Sequence, residues 1–90
     1  MIFATQMLLR YTQGALYTVE RALQRDLSEG ATSSLFSLRA DLQGWIKELS
    51  YCVHTGGLEP EIIDDACRQI MEAIEACVLL EGKPKVNTKH

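Results

Sequence analysis

The sequence predicts an all-α protein, an antiparallel three-helix bundle with helices over about 4–28, 34–55 and 60–81. Two observations carry that prediction. Leu35, Leu38, Leu42, Trp45, Leu49 and Cys52 step by three or four residues, which on a helix draws one continuous apolar seam, widened on one side by Phe36, Ile46 and Val53. No segment holds the two-residue alternation of a strand for more than a few positions.

The first helix is expected from about 4 to 28. Leu9, Leu16 and Leu23 repeat every seven residues, with Val19 and Leu27 on the same side and Leu8, Ala15 and Ala22 flanking them. Gly14 interrupts the pattern at a cost of roughly 1 kcal/mol against alanine. It marks a kink, a close approach by another helix, or simply a tolerated interior glycine. Residues 28–34 read as the first loop, in which Gly30 suits a left-handed C-cap and Ser33 or Ser34 can N-cap the next helix. So short a loop makes the first two helices antiparallel neighbours.

The second helix carries the seam described above, with Trp45 its largest core candidate and Gly44 opposite the seam or at its border. Gly56 and Gly57 end it. Pro60 fits the first turn of the third helix, where its missing N–H is harmless. Glu61, Asp64 and Asp65 place negative charge at the positive end of that helix's dipole. Ile63, Ala66, Cys67, Ile70, Ile74, Cys77 and Val78 give the third helix a wide apolar face, and Gly82 with Pro84 stops it. Residues 1–82 are therefore expected to form one helical domain, and residues 83–90 a disordered basic tail.

Composition narrows the function. The chain has 90 residues, 47% of them apolar, and a net charge of −3. That fraction is globular rather than disordered. There is no membrane-length apolar run and no secretory leader pattern at the start, so a cytoplasmic protein is expected. Cys52, Cys67 and Cys77 each fall in an apolar helical pattern and read as small buried hydrophobes kept reduced. The charge is uneven: residues 58–82 carry one basic residue, Arg68, against seven acidic ones, a balance of −6.

Chemistry-bearing patterns are weak. Cys52 and His54 lie two apart, so on a helix they point about 200° from each other and make a poor dyad. The cysteines and His54 lack the short paired spacing of a zinc site. Glu61, Asp64 and Asp65 lack the alternating ligands of a calcium loop, and Gly56-Gly57 lacks the rest of a phosphate loop. No catalytic residue, metal or cofactor is expected. A helix-turn-helix reading is disfavoured by charge, because a third helix at −6 repels DNA.

Surface for other proteins remains. Phe3, Met7, Tyr11, Tyr17, Phe36, Tyr51, Met71 and Leu79 fall off or beside the stripes, more apolar residues than a lone small bundle readily hides. A homodimer packed two-fold would cover them, as would an amphipathic helix of another protein. The expected function is a small non-enzymatic protein-binding module: an adaptor, inhibitor or chaperone. Its contact residues are Phe3, Met7, Tyr11, Tyr17, Phe36 and Tyr51, with Glu72 and Glu75 on the acidic third helix steering a basic partner. The alternative is a small transcriptional regulator that acts on DNA directly or by binding a repressor.

Overall fold

The computed structural model describes residues 2–82. Three helices account for most of them: α1 (Ile2–Ala22), α2 (Glu29–His54) and α3 (Pro60–Glu81). Each packs against the other two. The bundle expected from the sequence is the fold observed, and no strand occurs among the described residues. The expected basic tail, residues 83–90, lies outside them.

All three helices bury seams of three-four spacing. On α1 the fully covered line is Thr5, Leu8, Thr12, Ala15, Val19 and Ala22. On α2, Leu35, Leu42 and Leu49 are buried, and Leu38 and Trp45 are half-buried between them. On α3, Ala66, Ile70 and Cys77 are buried, flanked by half-buried Ile63, Ala73 and Leu80. This spacing suits helices packed side by side at a shallow angle. Two contacts set the directions. The hydroxyl Oγ1 of Thr5, near the start of α1, accepts the Leu58 N–H ahead of α3 at 2.9 Å. Beyond the other end, Arg25 pairs with Glu81 at 3.5 Å. So α1 and α3 run parallel, with α2 antiparallel to both.

The α1 seam differs from the sequence reading. Leu9 and Leu16, two members of the seven-residue repeat, are only half-buried. The deepest line lies beside them and includes two threonines, both fully buried. Their hydroxyls are satisfied. Thr12 donates to the Leu8 carbonyl at 2.7 Å, and Thr5 takes the Leu58 amide. Buried polar groups of this kind are tolerated only when partnered.

The first loop is also displaced. The helix expected to reach residue 28 ends at Ala22. The Gln24 and Arg25 amides bond to the Arg21 and Ala22 carbonyls, three residues back, which tightens the final turn and ends the α-helical ladder. Leu27 then turns into the core, at 7% exposure. Ser28, not Ser33 or Ser34, is the N-cap of α2: its Oγ accepts the Ala31 N–H at 3.2 Å. Gly30 therefore sits in the first turn of α2 rather than capping α1. The acidic Glu29 beside it complements the helix dipole.

The second loop follows the expectation. Gly56 and Gly57 both have positive φ, 108° and 86°, a region that side chains disfavour. The Gly57 N–H returns to the Cys52 carbonyl at 2.8 Å, closing α2. Pro60 opens α3 in its first turn. Gly82 caps α3 without a left-handed turn, at φ −80°. Val78, expected on the buried face of α3, is 58% exposed, because the covered line runs through Cys77 and Leu80 instead.

A candidate helix-binding groove

Of the three helix pairs, α2 and α3 pack most loosely. Between them lies an open groove of about 1210 Å3. Small residues create it. Ala40 and Gly44 on α2, and Ala73 and Ala76 on α3, line the groove and send no bulk into it. A Cβ added at Gly44 would meet nothing within 4 Å.

The floor is apolar. Leu42 and Ile70 form its buried base, and half-buried Leu38 and Trp45 present part of their surface to it. The rim is charged and mostly acidic: Asp41 and Glu48 from α2 and Glu72 from α3, against Lys47 alone, a balance of −2. Tyr51 and Gln69 complete it. The surface is thus a nonpolar trough, one helix face wide, edged by carboxylates.

The residues predicted to bind a partner are all exposed, and they do not converge on one site. Tyr51, at 71% exposure, and Glu72 lie on the groove. Glu75 is exposed on α3 but outside the groove lining. Phe3, Met7 and Tyr11 step by four along the outer side of α1, at 74%, 51% and 38% exposure. Tyr17 lies under the Arg21 guanidinium at 5.9 Å, and Phe36 under that of Arg39 at 4.8 Å. Met71 and Leu79 are exposed as well.

Sequence reasoning missed the groove. It placed Leu38 and Trp45 in the core seam, and it assigned no role to Asp41, Glu48, Ala73 or Ala76. The available signal was the pairing of small residues, Ala40 with Gly44 and Ala73 with Ala76, at helical spacing on two neighbouring flanks.

The other chemically able side chains are dispersed. Cys52, Cys67 and Cys77 are free thiols. Burial, with Glu81 adding to it, pushes the Cys77 thiol above its ordinary range. His54 donates from Nδ1 to the Ser50 carbonyl at 2.8 Å, at the C-terminal end of α2. Asp65 engages Arg68 and Gln69 on its own helix. Among the described residues no three His, Cys, Asp or Glu side chains gather closely enough to hold a metal ion. No helix among them is long and apolar enough to cross a membrane. Comparison with known proteins adds no functional assignment: no protein family, no curated protein and no solved structure matches the chain.

Proposed function

We propose that this protein is a non-enzymatic protein-binding module whose α2–α3 groove receives an amphipathic helix with a basic-edged apolar seam from a protein partner. The observation that supports this reading is the groove itself: a nonpolar floor exposed between two helices and edged by Asp41, Glu48 and Glu72. An inserted helix would complete a four-helix arrangement, burying Trp45 and Leu38 against its own apolar seam. Lysines or arginines flanking that seam would meet the rim carboxylates. The −6 balance of residues 58–82 extends the attraction beyond the groove and raises the association rate. Acting this way, the protein serves its partner as an adaptor, inhibitor or chaperone. Three free thiols suit a reducing cytoplasm. The uncovered residues of α1 supply a second surface, available for pairing between copies.

Trp45 is the chain's one tryptophan and lies on the groove floor, so its fluorescence reads occupancy directly. A synthetic helix with a leucine seam flanked by lysines should shift its emission to the blue in a saturable way. The shift should weaken with salt, because exposed charges are screened over ~10 Å at 0.1 M. The same peptide with glutamates for lysines should bind far less. If Trp45 responds to neither peptide, or to both alike, the reading is wrong.

A further inference from the structure

α1 carries a second seam, opposite the buried one. Phe3, Met7, Arg10, Gly14, Tyr17 and Arg21 step by four and three residues in alternation, and every one of them is exposed. That is the spacing with which a helix engages a neighbour. Its chemistry is the converse of the groove's: large apolar groups with two arginines and no acid, where the groove has an apolar floor and a rim of net −2. The lengths agree too. Phe3 to Tyr17 spans about 21 Å of helix, and the α2 wall from Leu38 to Tyr51 about 20 Å, at 1.5 Å per residue. Gly14 on the seam and Gly44 in the groove both have open space where a Cβ would stand, so neither backbone is fenced off.

We infer that the groove's occupant is a second copy of this chain, docked head to tail with its outer α1 seam lying between α2 and α3. The inference rests on the groove reading above and names its partner. Two-fold pairing is disfavoured by charge. α1 against α1 sets arginines against arginines, and groove against groove sets a net-acidic rim against itself. α1 packs inward on both other helices, so its outer seam and the α2–α3 groove face opposite ways. A contact between them is heterologous, and each docked copy presents a fresh groove and a fresh seam to the next.

The test uses sedimentation of the full chain and two surface variants, each checked for native helicity. One variant, Phe3→Ser with Arg10→Gln, spoils the seam; the other, Glu48→Lys with Glu72→Lys, spoils the rim. The unaltered protein should rise in mass with concentration past twice the 10.1 kDa monomer. Each variant alone should stay monomeric. Mixed one to one, they should form a dimer and stop, because one intact seam meets one intact groove. Three results overturn the inference: an unaltered chain that remains monomeric at millimolar concentration, one that stops at a dimer, or variants that fail to complement. If self-docking fails while Trp45 still answers the lysine-flanked peptide, the groove binds a foreign helix. If both fail, the groove reading falls as well.

Discussion

Thr5 and Thr12 occupy the same seam of α1, are equally buried, and should respond differently to the same substitution. The Thr5 hydroxyl is the acceptor for the Leu58 amide, 53 residues away in sequence, at 2.9 Å. Thr5→Val removes that acceptor and leaves an N–H in a half-buried loop without its partner. An unsatisfied buried donor costs ~1–3 kcal/mol. Thr12 donates to the carbonyl of Leu8, four residues back on its own helix. That carbonyl keeps its place in the helical ladder when the hydroxyl goes. Thr12→Val therefore trades a hydrogen bond worth ~1 kcal/mol for a buried methyl worth ~0.8 kcal/mol, and the two nearly cancel. Valine and threonine share the branched Cβ, so helix propensity hardly enters. Thr5→Val gains the same methyl, so the expected gap is the cost of the unmet donor less that of an ordinary hydrogen bond, about 1 kcal/mol at mid-range, or roughly 4–8 °C in melting temperature for a domain this small. Urea unfolding followed by helical circular dichroism measures it, read from midpoints at a common slope. It should be repeated at several protein concentrations, since self-association would raise apparent stability. Equal midpoints for the two variants, or a lower one for Thr12→Val, would refute the assignment of Thr5 as the tie between α1 and the second loop.

Three further outcomes follow from the geometry. Ile70 is fully buried beneath the groove, so Ile70→Ala should cost ~2–5 kcal/mol in chemical denaturation and enlarge the trough. The two glycine-to-alanine changes should go opposite ways. At Gly14, in a helix with open space for a Cβ, the protein should gain ~0.4–1 kcal/mol; at Gly56, with φ 108°, it should lose ~1–3 kcal/mol; thermal melts of dilute protein decide both. Cys77 should be the last thiol to react with a disulfide reagent. Its folded pKa is raised above 9.0, so its contribution to stability is full below pH 9 and declines as pH climbs past that value, where the unfolded chain ionises first. A Cys77→Ala variant should show a shallower loss of stability in that range, and an unchanged pH profile would remove the thiol from the account.

Legibility in the sequence tracked how locally each feature is determined. The α2 seam could be read because every third or fourth residue is large and apolar. The bounds of α3 could be read because Gly56, Gly57, Pro60 and Gly82 act within a few residues of themselves. The α1–α2 boundary could not. Leu23 and Leu27 continue the stripe in phase after the helix has ended, and three serines compete for the cap. What selects Ser28 is the descent of Leu27 and Ala31 into the core, which is a tertiary event. The deepest line of α1 was hidden for another reason: Thr5 and Thr12 are polar by type, and only their hydrogen bonds make them interior residues. Among the candidate contact residues, exposure was legible as misfit to the stripes. The groove was not, because it depends on which two helices pack least closely.

Several of the largest apolar side chains of α1 stand on its outer face, while four of its six buried positions are small. Inward, Leu8 and Val19 alternate with four small residues, Thr5, Thr12, Ala15 and Ala22, which let α1 lie close to its neighbours but bury little surface each. Outward stand Phe3, Met7 and Tyr17, between half and three quarters exposed. Full burial of a large apolar side chain is worth ~1.5–3 kcal/mol, so each of these forgoes on the order of 1 kcal/mol or more while it faces water. Trading Phe3, Met7 and Tyr17 for small inward residues would enlarge the core at no cost in composition. Scattered single exposures need no explanation, but these lie on one seam with two arginines, at the spacing of a helix contact. Across the molecule, the groove shows the same inversion: Trp45 is left half-covered where Ala73 and Ala76 could have been larger and sealed it. A filling substitution separates packing from docking. Ala76→Leu would cover part of the floor and should stabilise the isolated chain if the groove is only imperfect packing. If the groove is a receptor, the same change should abolish the Trp45 response to a lysine-flanked helix and end the rise of mass with concentration, whatever it does to the melting temperature.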